Sequence, residues 1–335
     1  MRILLTGITG FIGLHTARLL LEQGHSIVAL VRTPAKLPAD LAAQVTVLRG
    51  DLSLFCEPLL QLEEVDVVIH LAAVICAEKD ADYDAVNYAA VADLLACIGR
   101  QSWKPKRLLF ASSLAAAGPN PGGSGVHAES DEAQPIESYG RAKRAAELLV
   151  AKQPYPTTSF RPPIVLGPGD PASLTLFQMA RRLLAPLPAG APQQLSFVDV
   201  FDLAGAIVAM AADSSSEHRL YFTGSEQRIT NHELIRTIAE VQGKRVFVLP
   251  VPRPLLYLAM RIATAFSALT GVRNQLDEKQ YRQMTEPSFV CTSVRLTADT
   301  GWRATTTLRD CAKRAAEGYA AAGLLPKELA TSPSR

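Results

Sequence analysis

The first thirteen residues constrain this chain most. "RILLT" is a short run, apolar apart from its ends, and it breaks into "TGITGFIG", with Gly7, Gly10 and Gly13 spaced three apart, before the amphipathic pattern "FIGLHTARLLLEQG" begins. A strand that hands over to a helix through closely spaced glycines has few structural solutions. Glycine allows positive φ and close approach of backbone to a ligand, while the free N–H groups at a helix start attract an anion such as a pyrophosphate. The spacing is G-x-x-G-x-x-G rather than the more usual dinucleotide-binding G-x-G-x-x-G, so the turn takes its meaning from the strand and helix around it.

Those surroundings repeat. "SIVALV", "VTVL", "VDVVIHLAA" and "RLLFASS" are short apolar runs separated by helical patterns such as "YDAVNYAAVADLLACIGR". Apolar runs of this length suit strands buried on both faces, and interposed helices suit crossovers between parallel neighbours. The pattern predicts an α/β fold: a Rossmann-type, doubly wound parallel sheet over residues 1–167. Beyond Gly167 the pattern is less regular and richer in proline. Residues 168–330 are therefore expected to form mainly a smaller α/β substrate domain, with some segments returning to the sheet. "TTSFRPPIVLG" reads as one further strand, and Asp202 and Thr230 read as helix N-caps.

Composition removes several functions. Thirty-four basic and 32 acidic residues leave a formal charge of +2, far from the basic field that nucleic acid requires. Cys56, Cys76, Cys97, Cys291 and Cys311 form no C-x-x-C, and the six histidines form no ligand pair, so neither a disulfide framework nor a metal site is expected. A reducing cytoplasm suits such thiols, and the opening "MRILLTG" reaches its polar turn too soon for a signal peptide. "GGSGV" fails as a hydrolase elbow because Val126 replaces the required second glycine.

At the end of the second apolar run, an acid would bind the ribose hydroxyls of NAD, whereas an arginine accommodates the 2′-phosphate of NADP. Val31 and Arg32 stand there, followed by Lys36. NADP(H) is favoured and NAD(H) remains possible. Farther along, "SYGRAKRAAE" sets Tyr139 four positions before Lys143, on one face of a helix and about 40° apart. A phenol is a weak acid–base catalyst at neutral pH, and a neighbouring ammonium would stabilise its phenolate. Twenty-six residues earlier, "LLFASSLAAAG" runs a strand into two serines at the sheet edge where ligands of such folds bind.

Together "TGITGFIG", "GDLS", "HLAA", "FASSLAAAG", "SYGRAK" and "FRPPIVLGPGD" closely resemble the extended short-chain dehydrogenase/reductase family, which includes epimerase/dehydratase-like and 3β-hydroxysteroid dehydrogenase-like enzymes. The resemblance runs from Arg2 to about Leu325 and is strongest before Asp170. It implies that Tyr139 exchanges the proton, that Lys143 lowers its pKa and holds the nicotinamide ribose, and that Ser113 hydrogen-bonds the reacting oxygen. Ser112 is the fallback. It further implies that Gly7, Gly10, Phe11, Ile12 and Gly13 cradle the cofactor, with Asp51 and Leu52 beside its adenine. Leu71, Ala72 and Ala73 would line it, Pro162 and Pro163 would approach the nicotinamide, and Asn87 would give structural support. Capping by Asp51 and an ordinary core end for "HLAA" are the plainer readings. The resemblance also implies a homodimer through helices near residues 84–100 and 138–152.

For the substrate, "FRPPIVLG" lacks the asparagine that follows the sixth strand in many nucleotide-sugar members, and "SSLAAAG" lacks the carboxylates of dehydratases. Residues 251–272, "VPRPLLYLAMRIATAFSALTGV", are apolar nearly all round, with Arg253 and Arg261 as the only charges. A core helix is the expectation; a pocket wall or weak association with a membrane surface is the alternative, and no transmembrane span is expected. Loop 118–135 reads as a flexible lid from which His127 and Glu129 could touch substrate, surface solvation being the plainer reading, and Cys76 could face the pocket, burial being the plainer reading. The reading is an NADP(H)-dependent oxidoreductase interconverting a secondary alcohol and a ketone or aldehyde on an apolar small molecule, sterol-like or hydroxy-lipid-like. Two alternatives stay open: a nucleotide-sugar epimerase with retained NAD, and a non-catalytic dinucleotide-sensing regulator, whose signature would be a damaged Tyr/Lys pair.

Overall fold

The computed structural model describes residues 1–326 apart from 78, 124 and 271–277. Ser124 of "GGSGV", the end of the apolar run at 271–272 and the last residues of the expected second domain, 327–330, lie outside that set. Fourteen strands are described: β1 Arg2–Thr6, β2 Ser26–Val31, β3 Thr46–Arg49, β4 Val67–His70, β5 Arg107–Ala111, β6 Thr157–Arg161, β7 Ile164–Leu166, β8 Leu184–Pro188, β9 Gln194–Leu195, β10 Phe197–Asp199, β11 Arg219–Phe222, β12 Ile229–Thr230, β13 Phe247–Val251 and β14 Ser288–Phe289. The longer helices are α1 Phe11–Glu22, α2 Ala90–Arg100, α3 Ser138–Val150, α4 Val200–Ala211, α5 Asn231–Val241, α6 Arg253–Thr270 and α7 Leu308–Ala321.

Seven strands form one parallel sheet in the order β11-β6-β5-β4-β1-β2-β3. The chain winds outward from β1 in both directions, so a crevice opens at the carboxyl ends of β1 and β4, where the order reverses. The apolar runs explain the central positions: every residue of β4 and β5 is buried, whereas edge strand β3 is largely exposed. Helices α1 and α4 cover one face, with Ala17, Leu20, Leu203 and Ile207 in its core. Helices α2 and α3 cover the other, with Leu94, Ile98, Ala146 and Val150.

Three local expectations need correction. "TTSFRPPIVLG" is not one strand but two, because prolines at 162 and 163 supply no N–H to a ladder and end β6 at Arg161; β7 then pairs with β10. Thr230 does cap α5, in a reciprocal capping box with Glu233, but α4 is capped by Asp199 instead of Asp202. Asp202 sits in the first turn and accepts from the backbone N–H groups of Thr305 and Thr306. Nor is α6 a core helix over its described side chains: Met260 is buried, but Leu255, Leu258 and Ile262 are 56%, 55% and 61% exposed.

Candidate active site

The glycine turn is built by what glycine omits. Gly7 has φ +79, and a Cβ there would lie 2.6 Å from the backbone N of Ala72 and 2.8 Å from the carbonyl carbon of Leu71. One on Gly13 would lie 2.1 Å from the Gly7 carbonyl oxygen. The turn therefore packs directly on "HLAA" at the end of β4, where the Leu71 N–H donates to the Thr6 carbonyl at 3.2 Å. Gly10 stands at the start of α1 and gives it no side-chain cap, and no acid occupies the first turn. N–H groups left without a side-chain cap at a glycine-lined helix start fit a dinucleotide pyrophosphate. Phe11 and Ile12 are half-buried at the same helix start.

At the end of β2, Arg32 is exposed, and its charge acts on Asp51. The Asp51 carboxylate accepts from both the backbone N–H of Ser53, at 2.9 Å, and its hydroxyl, at 2.6 Å. Those bonds hold its pKa below the usual carboxylate range, with Arg32 adding to the effect. Asp51 thus caps the turn that starts at Leu52. Ala73 is exposed just past the end of β4, and Asn87 clamps the next residue, accepting from the Val74 N–H at 3.0 Å and donating to its carbonyl at 2.8 Å.

The two serines after β5 point to different partners. Ser112 is buried and its hydroxyl donates to Glu147 at 2.5 Å. Ser113 is more accessible, accepts from the Ala115 N–H at 3.2 Å, and its hydroxyl acts on Tyr139 to lower the phenol's pKa. Alternation along the extended segment sends one hydroxyl into the core and the next to the crevice. The backbone fixes the turn, since Ser112 N–H donates to Phe160 at 2.8 Å and Leu114 N–H to Pro162 at 2.9 Å. Pro162 is buried beneath it and Pro163 is half-buried. Gly140 lets α3 approach: a Cβ there would lie 2.3 Å from the Ala115 carbonyl oxygen.

Burial pushes the Tyr139 phenol up to about 12, while its bond with Ser113 works the other way and Glu137 and Tyr83 reinforce burial. The ammonium of Lys143 does not perform the expected lowering in this structure. It is 1% exposed, donates to the Ala111 carbonyl at 2.7 Å and lies 4.9 Å from the centre of the Phe110 ring. Burial lowers Lys143 to about 7, and the Glu147 carboxylate opposes that fall. His70, stacked on Phe110 and bonded to the Thr6 hydroxyl at 2.8 Å, is held neutral by burial and by Lys143, with a pKa of about 3.

Sequence reasoning passed over the group beneath this site. Glu147, 3% exposed, receives two bonds from the equally buried Arg161, at 2.8 and 2.7 Å, besides those from Ser112 and Arg144. Its place one turn beyond Lys143, with an arginine in "FRPP", was the available signal. The lid expectation also changes. Loop 118–135 is stitched to residues 288–292: Asn120 donates to and accepts from the Val290 backbone, and His127, 1% exposed, pairs with Val290 and Thr292. Glu129 is half-buried and accepts from the Phe222 N–H at 3.2 Å, and burial raises its pKa. Cys76, by contrast, is exposed. Among the described residues no group of metal-ligating side chains occurs and no helix is long and apolar enough to cross a membrane.

The profile of the NAD dependent epimerase/dehydratase family matches residues 3–222. A ceramide reductase of Caulobacter vibrioides is 26% identical over 335 residues, covering 97% of this chain and 96% of that one. A UDP-glucose 4-epimerase of Vibrio cholerae is 28% identical over 268 residues, covering 75% of this chain and 78% of that one. The crystal structure of a Thermus thermophilus UDP-glucose 4-epimerase complex with NAD superposes with a TM-score of 0.70 at 22% identity, over 95% of this chain and 99% of that one; this likeness is one of fold.

Proposed function

The chain belongs to the NAD dependent epimerase/dehydratase family, among the extended short-chain dehydrogenase/reductases, and is an NAD(P)-dependent oxidoreductase; from that premise we propose that it interconverts a secondary alcohol and a ketone on a hydroxy-lipid, using NADP(H). The carrying observation is that Ser113 and Tyr139 come together at the carboxyl edge of the sheet, the serine hydroxyl acting on a phenol that burial pushes up to about 12. A protonated phenol is ready to give its proton to the oxygen of a carbonyl being reduced, which favours the reductive direction. The bound nicotinamide supplies or accepts the hydride. Ser113 polarises the same oxygen, and a hydroxyl aimed at developing negative charge lowers the barrier. Lys143, which burial lowers to about 7 against the opposing Glu147 carboxylate, lies one helical turn from Tyr139, where it would hold the cofactor ribose.

NADP(H) is supported by Arg32 and by the absence of any acid at 31–33, since Asp51 is engaged by Ser53. The lipid class is supported by the ceramide reductase, matched from end to end, and by the missing asparagine after β6. A homodimer through residues 84–100 and 138–152 is supported by Tyr88 and Leu148, 37% and 48% exposed on those helices. The second reading is a nucleotide-sugar epimerase with retained NAD, favoured by the UDP-glucose 4-epimerase match.

Calorimetric titration with NADPH and NADH, after absorbance has shown whether nicotinamide co-purifies, separates the two. An empty site with NADPH preference, and NADPH oxidation by a long-chain ketolipid, is expected; retained NAD with no such turnover puts the epimerase first. Tyr139→Phe should lower turnover by about 10²–10⁴-fold with cofactor affinity nearly unchanged. Normal turnover by that variant refutes the assignment.

A further inference from the structure

Two segments of this chain contain no carboxylate. Residues 171–198 carry Arg181 and Arg182, and residues 241–265 carry Lys244, Arg245, Arg253 and Arg261. Every one of the 32 acidic residues lies elsewhere, so the remainder of the chain is net negative although the whole carries +2. The fold joins these two segments as neighbours. Strands β8 and β13 pair in parallel, with Leu184 opposite Phe247 and Pro186 opposite Leu249.

That register sorts the side chains into two faces. Ala185 and Leu187 are buried on the inner face. The outer face holds Leu184 at 49%, Phe247 at 61% and Leu249 at 45% exposure, together with exposed Pro186. Because the strands are parallel, the basic residues preceding them share one end of the sheet: exposed Arg182 and exposed Arg245 each stand two residues before a paired position. Helix α6 follows β13 after Pro252 and carries its own exposed stripe of Leu255, Leu258 and Ile262, with exposed Arg253 and Arg261.

Exposed apolar surface edged by cations, on segments without a single acid, matches a surface that is apolar below and anionic above. We propose that the β8–β13 face, with α6, docks on an anionic lipid bilayer, apolar side chains entering the headgroup boundary and Arg182, Lys244, Arg245 and Arg253 meeting lipid phosphates. A second copy of the chain is a poor occupant, since on a two-fold contact of these segments neither copy offers an acid to meet the other's cations. Among the described residues no helix is long and apolar enough to span a membrane, and Arg253 and Arg261 interrupt the apolar run of α6. This docking goes beyond the redox reading and does not depend on it, although it would bring the substrate-side half of a lipid-reducing enzyme to its substrate.

The test is flotation of the purified full chain with vesicles of phosphatidylcholine alone and with about a third of the lipid replaced by phosphatidylglycerol. Binding only to the anionic vesicles, released by high salt, is expected. Arg182→Ser with Arg245→Ser, both exposed and remote from the fold's core, should weaken partitioning about thirtyfold. Phe247→Ser with Leu249→Ser should weaken it by roughly tenfold or more. NADPH affinity, read by calorimetry, serves as the folding control and should be unchanged in both. Absence of flotation, equal binding to the two vesicle types, or loss of a dimer in light scattering with vesicle binding intact overturns the proposal. Flotation without ketolipid turnover sinks the substrate reading alone; turnover in detergent without flotation sinks the docking alone.

Discussion

Replacing Glu147 by glutamine tests whether the buried pair beneath the site holds it in place. The substitution keeps volume and one acceptor but leaves the Arg161 guanidinium, 1% exposed, with no full counter-charge. Removing one partner of such a pair costs about 3–5 kcal/mol, and the retained amide oxygen argues for the lower end, about 3 kcal/mol. At roughly 2.1 cal/mol/K per residue, unfolding 335 residues as one unit has an entropy near 0.7 kcal/mol/K, so the Tm should fall by about 4 °C. Adding Arg161→Met removes the orphaned charge and should restore most of the loss, because replacing both partners by apolar groups is often close to neutral. Thermal unfolding followed by circular dichroism, with the full double-mutant cycle, measures this. Glu147 also holds up the Lys143 pKa against burial, so the Gln variant should move the pH–rate inflection belonging to Lys143 to lower pH. A Tm within 1 °C of wild type, with additive single and double variants, refutes the reasoning; an unmoved inflection refutes its electrostatic half.

Three further outcomes rest on the same geometry. Gly13→Ala forces a methyl to 2.1 Å from the Gly7 carbonyl and should cost about 1–3 kcal/mol of stability with loss of measurable NADPH binding by calorimetry. Ser113→Ala should lower kcat by roughly 10²-fold without a Tm change, whereas Ser112→Ala should cost about 1–3 kcal/mol of stability and spare most of kcat. His70 is held neutral to about pH 3, against an ordinary 6.5. Between those values the unfolded chain binds a proton that the folded chain refuses, so stability falls as pH falls. Urea midpoints should show a loss of about 2 kcal/mol from this group between pH 6.5 and 5, absent in His70→Asn.

The sheet was legible because its central strands are buried on both faces and therefore read as unbroken apolar runs; β4 and β5 are the plain cases. The prolines that split "TTSFRPPIVLG" were visible too, and β6 stops where the first of them removes a donor. The capping box at Thr230 and Glu233 is a local motif and survived, while Asp202 and Asp199 are both acids near one helix start that only tertiary contacts to Thr305 and Thr306 distinguish. Helix α6 deceived for a different reason. Apolar residues on every side read as core, but the sequence does not record which neighbours are available to cover them, and Leu255, Leu258 and Ile262 found none among the described residues.

At the site, positions set by the backbone period were readable, and those set by the turn of a single side chain were not. Tyr139 and Lys143 sit on one helix face by spacing alone, yet their partners differ: the phenol meets Ser113, while the ammonium turns under the sheet edge to Ala111. Spacing cannot choose between those outcomes, because a four-carbon lysine stem reaches either. The same limit applied to the serines. One position of difference decides whether a hydroxyl faces Glu147 in the core or Tyr139 in the crevice, and the register of β5 against β6, a contact between segments 45 or more residues apart in the chain, makes that choice. Once the register is fixed, the Glu147 carboxylate holds Arg161 by two hydrogen bonds and opposes the fall that burial imposes on Lys143. The carboxylate beneath the helix therefore acts on the group above it as well as on Arg161, which is why the Gln variant is predicted to move a pH profile and not only a melting curve.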